Sequence, residues 1–402
     1  LLVSRMSLDI ALENVRLLLK MIKDADEKVD ALKAIFEVAI RQGIVDSVIG
    51  LIEDNKISDT DDLYGAFAIT CSYEGDDELF IKYLEKLSEA RKFEVISEAI
   101  LGGKINKEKL MDIVKDLLKK LKKVDYGDED ACYNMAVILS FVGDYTRARG
   151  FVNSFCSLVR MKKYSFMGEF FKTMDELKCT HLRILIGDRN DGLRSIQKLL
   201  ERVEGLDKTH ISTILLEICD ILSRHGFYDD ALAIVRKFAS KVRIGVLLAT
   251  ILENMLQKNP DTDVLDKFIK QINTMIGSDA EACMQVAIVL RKHNVDRWRE
   301  FFDRIKIEDL EKVDVIVLLD LMETLAENDF SEMLEKVSEI PIYWEDLKRY
   351  PETLFKYIYI LYASGRVRGG AKIMEDYINL SLIHISEPTR PRLISYAVFC
   401  LK

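Results

Sequence analysis

A turn-forming residue recurs along this chain at nearly constant intervals, and that spacing limits what the chain can fold into. Gly226, Pro260, Asn294 and Asn328 follow one another at steps of 34, each between two stretches with the apolar spacing of a helix. Gly75 and Gly143 are 68 apart, or two such steps, while Gly43 to Gly75 is 32 and Asn328 to Gly365 is 37. A unit of two helices and a turn cannot bury its own apolar face, so successive units must stack into one continuous core. The spacing therefore predicts an all-α α-solenoid. Roughly eighteen to twenty antiparallel helices would stack in pairs and wind into a curved superhelix.

The stretches between the turns support this. Ile211, Ile214, Leu215, Ile218 and Leu222 fall on one stripe of a helix before Gly226, and Ala231, Leu232, Val235 and Phe238 continue it on a second helix. Met135, Ile138, Leu139 and Val142 lead into Gly143, and Ala148, Val152 and Phe155 lead out of it. Thr209 is placed to cap the helix before Gly226. Ser278 and Glu281 have the spacing of a capping box. The stretch 144–225 has no turn residue at the expected step, so it reads as irregular.

Glycine (19) and proline (5) are scarce, as a chain that is mostly helix interior requires. The net charge of −9 counts against a general nucleic-acid binder, which needs cations to displace counterions from phosphates. Seven cysteines stand at 71, 132, 156, 179, 219, 283 and 400 without paired spacing, which points to a reducing compartment and a cytoplasmic location. No apolar run approaches the ~20 residues of a membrane-spanning helix. Leu1 to Ser7 has neither the basic nor the apolar part of a signal peptide, with Met6 a candidate start.

Two turns carry a more specific pattern. Gly143-Asp-Tyr145-Thr-Arg-Ala148 and Gly226-Phe-Tyr228-Asp-Asp-Ala231 both read G-x-Y-x-x-A, and Ala136 and Cys219 supply a small residue on the preceding helix. This resembles the turn of a tetratricopeptide repeat, in degenerate form. Cys132 and Leu215 stand where that family has tryptophan, and Arg160 and Arg243 where it has its closing proline. The resemblance implies a tyrosine ring packed over each turn, an alanine that lets the helices approach, and a surface offered to peptides or partner proteins. The family's peptide-clamping residues have no counterpart here.

Residues 380–402, LSLIHISEPTRPRLISYAVFCLK, break the pattern and hold two of the five prolines. They resemble the translation of a transposase-type sequencing-library adapter. The expectation is a tail foreign to the natural protein, leaving 1–379 as a single tetratricopeptide-like α-solenoid.

The residues with chemical potential are few. His181, His210, His225 and His293 never pair at metal-ligand spacing, and Cys179 and His181 point apart on a helix. The run Asp125-Tyr-Gly-Asp128-Glu129-Asp130 lacks the ligand pattern of a calcium loop and suits a helix N-terminus near Ala131. Gly102-Gly103-Lys104 lacks the second glycine and hydroxyl of a phosphate loop. From Lys104 to Lys123, Leu110, Ile113, Val114, Leu117, Leu118 and Leu121 form an apolar stripe under a lysine face, which reads as a solvated solenoid helix. Trp298, between Arg297 and Arg299, reads as a ring wedged between helices, with a cation–π recognition face as the alternative. Trp344 is the other tryptophan.

No nucleophile, base and orienting group can be assembled, so no catalytic residue, cofactor or metal site is expected. The expected function is a non-catalytic scaffold that takes a partner peptide or helix in its groove. The alternative is an RNA-binding helical repeat using the basic clusters Arg147, Arg149, Arg160, Lys162, Lys163 and Lys115 to Lys123.

Overall fold

A left-handed residue closes helix after helix. Gly75 (φ 80°), Gly143 (φ 81°), Gly226 (φ 83°), Asn259 (φ 49°) and Asn294 (φ 56°) occupy this region in the computed structural model. It describes residues 60–120, 126–164, 168–310, 313–327, 330–338 and 340, with Leu32, Phe36, Ala39, Ile40, Val45, Tyr357 and Ile360. Gly43, Asn328, Trp344, Gly365, Lys122, Lys123, Asp125 and residues 380–402 lie outside the described residues. The turn predicted at Pro260 is made one residue earlier, because the proline ring holds φ negative and Asn259 does not.

The backbone bonds at these turns repeat as well. The N–H just after each left-handed residue reaches back five residues to a carbonyl: Asp76 to Cys71 (3.0 Å), Asp144 to Leu139 (2.9 Å), Phe227 to Leu222 (2.9 Å) and Val295 to Leu290 (2.9 Å). The Phe330 N–H spans the same five residues to Leu325 at 2.9 Å. This Schellman closure satisfies carbonyls that the ended helix leaves over and sends the chain back along itself. Asp76 and Asp144 then serve at once as caps of the next helix, accepting from the N–H of Leu79 (3.0 Å) and Arg147 (3.1 Å).

The chain divides into two compact units, 1–163 with 185–189 and 375–402, and 164–184 with 190–374. In the first lie α1 (Thr60–Glu74), α2 (Asp77–Glu85), α3 (Glu89–Gly102), α4 (Lys107–Lys120), α5 (Glu129–Phe141) and α6 (Tyr145–Met161). The first helices of successive pairs pack side by side, α1 on α3 and α3 on α5, while α2 and α6 return against their own partners. Phe36 stacks on Phe67 at 3.8 Å and meets Tyr83 edge-on at 5.2 Å, giving this unit an aromatic centre.

In the second unit lie α7 (Gly168–Leu185), α8 (Arg189–Val203), α9 (Lys208–Arg224), α10 (Tyr228–Phe238), α11 (Ile244–Leu256), α12 (Thr262–Ile276) and α13 (Ala280–Lys292). There follow α14 (Trp298–Phe302), α15 (Ile307–Leu310), α16 (Val315–Glu327) and α17 (Ser331–Val337). Here α9, α11 and α13 pack in a row that continues to α16, and α10, α12, α14 and α17 are the second helices. The fold is thus an all-α helical repeat, with no strand among the described residues. The stretch 144–225 contains α7 and α8, whose connection turns at Gly187 (φ 89°). The long helices α6 and α7, 17 and 18 residues, stretch the step there. Gly187 consequently falls off the 34-residue grid.

Two predicted caps move. Asp207, not Thr209, caps α9, accepting from the N–H of Thr209 and His210 at 3.1 Å each. Asp279, not Ser278, caps α13, accepting from the N–H of Ala282 at 3.0 Å. A carboxylate is the stronger acceptor at the positive end of a helix.

Candidate functional site

In the row α9–α11–α13–α16 the two middle helices leave little of themselves in contact with solvent. On α11, ten of thirteen residues are buried, and the rest form one line: Val246, Thr250 and Glu253, continued by Gln257 after the helix ends. Those positions are i, i+4, i+7 and i+11, one edge of a helix held by neighbours on both sides. The matching line on α9 is Thr213, Glu217, Asp220 and Arg224, and on α13 Glu281, Gln285 and Lys292 reach the surface while Ile288 between them is buried. On α16 it runs Ile316, Asp320, Glu323. Val246 and Ile316, on α11 and α16, are 38% and 37% exposed.

Carboxylates outnumber bases along these lines, and the bases Arg224 and Lys292 sit only at the last turns, where cations suit the helix dipole. Polar contacts tie the lines together. The buried Asn254 amide donates to Asp220 Oδ1 at 2.9 Å and to Ser223 Oγ at 2.8 Å, joining α11 to α9. Glu253 takes Lys292 Nζ at 3.2 Å and His293 Nε2 at 3.1 Å, joining α11 to α13. Burial opposes the Glu253 carboxylate, but Lys292 and His293 outweigh it and hold its pKa below the ordinary value.

Glu281 behaves in the opposite way. Its side chain is only 14% exposed, and Oε2 lies 3.8 Å from Arg243 Nε, just before α11. Oε1 is buried and accepts no hydrogen bond among the described residues. Desolvation raises its pKa; Arg243 opposes the shift, while Asp279 and Asp314 add to it.

The residues singled out in the sequence are scattered rather than gathered. Cys179 and His181 are both buried. His181 meets His225 edge-on at 5.5 Å, a pair 44 positions apart that periodicity cannot reveal. Burial first, then the charges of His225 and Arg224, lowers the His181 pKa to about 3. Among the described residues no group of three or more His, Cys, Asp or Glu is placed to hold a metal ion. Burial also pushes the Cys71 and Cys219 thiols up to about 12.

Asp128 caps α5 at Ala131 N–H (3.0 Å) and Glu129 pairs with Lys162 at 2.9 Å, as the helix-terminus reading of the acidic run implies. After Gly102 and Gly103, the Lys104 N–H donates to the Ser72 carbonyl at 2.7 Å, joining α1 to the chain beyond α3. On α4, Leu110, Val114 and Leu117 are buried while Lys107, Lys109, Lys115 and Lys119 face solvent. Trp298 is half-buried between two guanidinium groups, Arg291 at 4.6 Å and Arg299 at 4.5 Å, and Arg299 also pairs with Glu332 at 3.3 Å. The ring therefore joins α13 to α14, as the wedged-ring reading expects, and its cation–π contacts are with the chain's own arginines.

Ala136, Cys219, Ala148 and Ala231 are fully buried, as the tetratricopeptide resemblance implies. The tyrosines depart from it: Tyr145 is 51% exposed, and Tyr228 points to Phe268 of α12 at 6.1 Å. Phe268 offers Tyr228 an apolar neighbour across the gap between second helices, and the ring takes it.

No family model and no curated protein matches the chain. Among solved structures it is similar to one described as human IFIT1 dimer with m7Gppp-AAAA, at 14% identity over 93% of this chain and 94% of that one, with a TM-score of 0.28. A second, human IFIT1 dimer with PPP-AAAA, is 13% identical over 93% and 95%, with a TM-score of 0.26. Superpositions this loose carry no argument about function. No helix among the described residues is long and apolar enough to cross a membrane.

Proposed function

We propose that the chain is a non-catalytic interaction scaffold whose α9–α11–α13–α16 row receives a segment of another protein. One observation carries this reading. The packed helices of the row let few side chains reach solvent, a single line on α11, and Val246 and Ile316 stand exposed among polar ones. Such a surface offers regularly spaced contacts on a rigid backing, which lowers the ordering cost of binding. Three of the basic residues that would favour RNA are engaged with acids. Arg149 pairs with Asp188 at 2.8 Å, Lys162 with Glu129 at 2.9 Å, and Arg147 with Asp144 at 2.5 Å.

The test is site-specific photocrosslinking of the full chain in lysate. A benzophenone side chain would stand at Thr250 on the exposed line, or at Lys270 on the solvent face of α12. A discrete protein joined at Thr250 and absent at Lys270 supports the scaffold. Crosslinks to RNA alone, or the same products from both sites, would overturn it.

A further inference from the structure

Two faces of the second unit are joined by different chemistry. Along the first helices the contact is dry and close. A Cβ added to Gly245 of α11 would stand 2.9 Å from the Ala282 Cα of α13, so these two backbones touch. Along the second helices a cation crosses each step instead. Lys237 on α10 reaches Glu204, just beyond α8, at 2.7 Å. Arg236 on α10 donates to Gln271 of α12 at 3.1 Å, where Tyr228 and Phe268 add their edge-on contact. Arg297, at the start of α14, pairs with Asp266 of α12 at 2.7 Å, and Arg304, just past α14, donates to Asn273 and to the Gly277 carbonyl. Arg299 on α14 pairs with Glu332 of α17 at 3.3 Å.

We propose that this outer face is a latch sensitive to ionic strength. Its polar rungs hold successive second helices together, and screening them lets those helices spread while the first-helix row stays in contact as the pivot. Lys237, Glu204, Arg299 and Glu332 are all exposed, and exposed ion pairs are individually weak and readily screened by salt. The apolar contact of α11 with α13 has no such sensitivity. Helix α11 is flanked by α9 and α13 and backed by α10 and α12, so its exposed line faces away from the second helices. Spreading of the second helices therefore draws neighbouring lines of the row together. The latch stands apart from the scaffold reading, because it opens whether or not a partner is bound.

The experiment uses the full chain with pairs of spin labels on unnatural side chains, read by double electron–electron resonance. One pair, at Lys198 and Glu335, spans the outer face from α8 to α17. The other, at Thr213 and Ile316, spans the first-helix row from α9 to α16. Raising NaCl from ~0.01 M to ~1 M shortens the Debye length from ~30 Å to ~3 Å. The outer distance should lengthen by ~3 Å or more, one water layer at a single rung, while the inner distance holds. The sign is diagnostic, since screening the net charge of −9 would by itself shorten both distances. Lys237→Glu should lengthen the outer distance already at low salt, and adding Glu204→Lys should restore it. Melting curves of each variant confirm the fold.

An outer distance that shortens, stays fixed or changes equally with the inner one overturns the latch. So does a Lys237→Glu chain that matches the parent at low salt, or a charge swap that leaves the face open.

Discussion

Helices α11 and α12 are neighbours in sequence and of similar length, yet they meet their surroundings in different ways. In α11, with ten buried residues in thirteen, α9 and α13 press from both sides and only one line escapes. In α12, four residues of fifteen are buried: Phe268, Ile269, Ile272 and Ile276, a single stripe. The second helix is a lid with one apolar edge. The first is a core element with one exposed edge. It follows that stability is concentrated in the first-helix row, and that this row can present only a few side chains to a partner.

The comparison breaks most directly by cutting into each helix. Leu252→Ala on α11 should cost ~3 kcal/mol, because the fully buried side chain leaves a cavity that two neighbours hold open. Lys270→Ala on α12 should stay within ~0.5 kcal/mol. Equal urea midpoints for the two would show that the row is not where stability lies. Ala231→Leu, at the contact of α9 with α10, should cost ~1–3 kcal/mol through overpacking. An unchanged melting temperature there would contradict the pairing of these helices.

Acid should act on the buried end of the unit. His181 titrates near 6.5 when unfolded and at about 3 when folded, so below pH 6.5 the unfolded chain takes up a proton that the fold refuses. Its contribution is complete above pH 6.5 and falls by ~1.4 kcal/mol per pH unit until about pH 3. His181→Phe should flatten the measured dependence between pH 6 and 4. If the two profiles superimpose, the histidine is not buried as described. The smallest effect separates the two candidate caps of α13. Asp279→Ala should cost ~1 kcal/mol and Ser278→Ala a few tenths, and the reverse order in thermal melts would restore the capping box.

Much of the fold was legible in the sequence because its punctuation is chemical. Only glycine and asparagine readily take a left-handed φ, so Gly75, Gly143, Gly226 and Asn294 could be read as turns directly. Gly187 escaped because the long helices before it shifted the step, and Pro260 stood one residue from the true turn. The caps slipped by one or two positions because Asp207 and Thr209, or Ser278 and Asp279, are all capable acceptors. The backbone path chooses between them. The candidate site was the least legible part. Thr250 and Gln285 are unremarkable in sequence, and what marks them is the burial of everything around them. Glu281 looks like an ordinary first-turn acid until packing encloses it, and His181 and His225 meet only through tertiary structure.

The Schellman turns have a further consequence for how such a chain can change in length. Each closes through bonds to its own preceding helix, so a turn does not depend on which pair follows. Gly226 and Asn294 share both handedness and bonding pattern, so excising the segment between them would join one turn to an equivalent one. Growth or loss by whole units would leave every remaining joint intact, while a few residues gained or lost inside a helix would rotate its single exposed line out of register with the next.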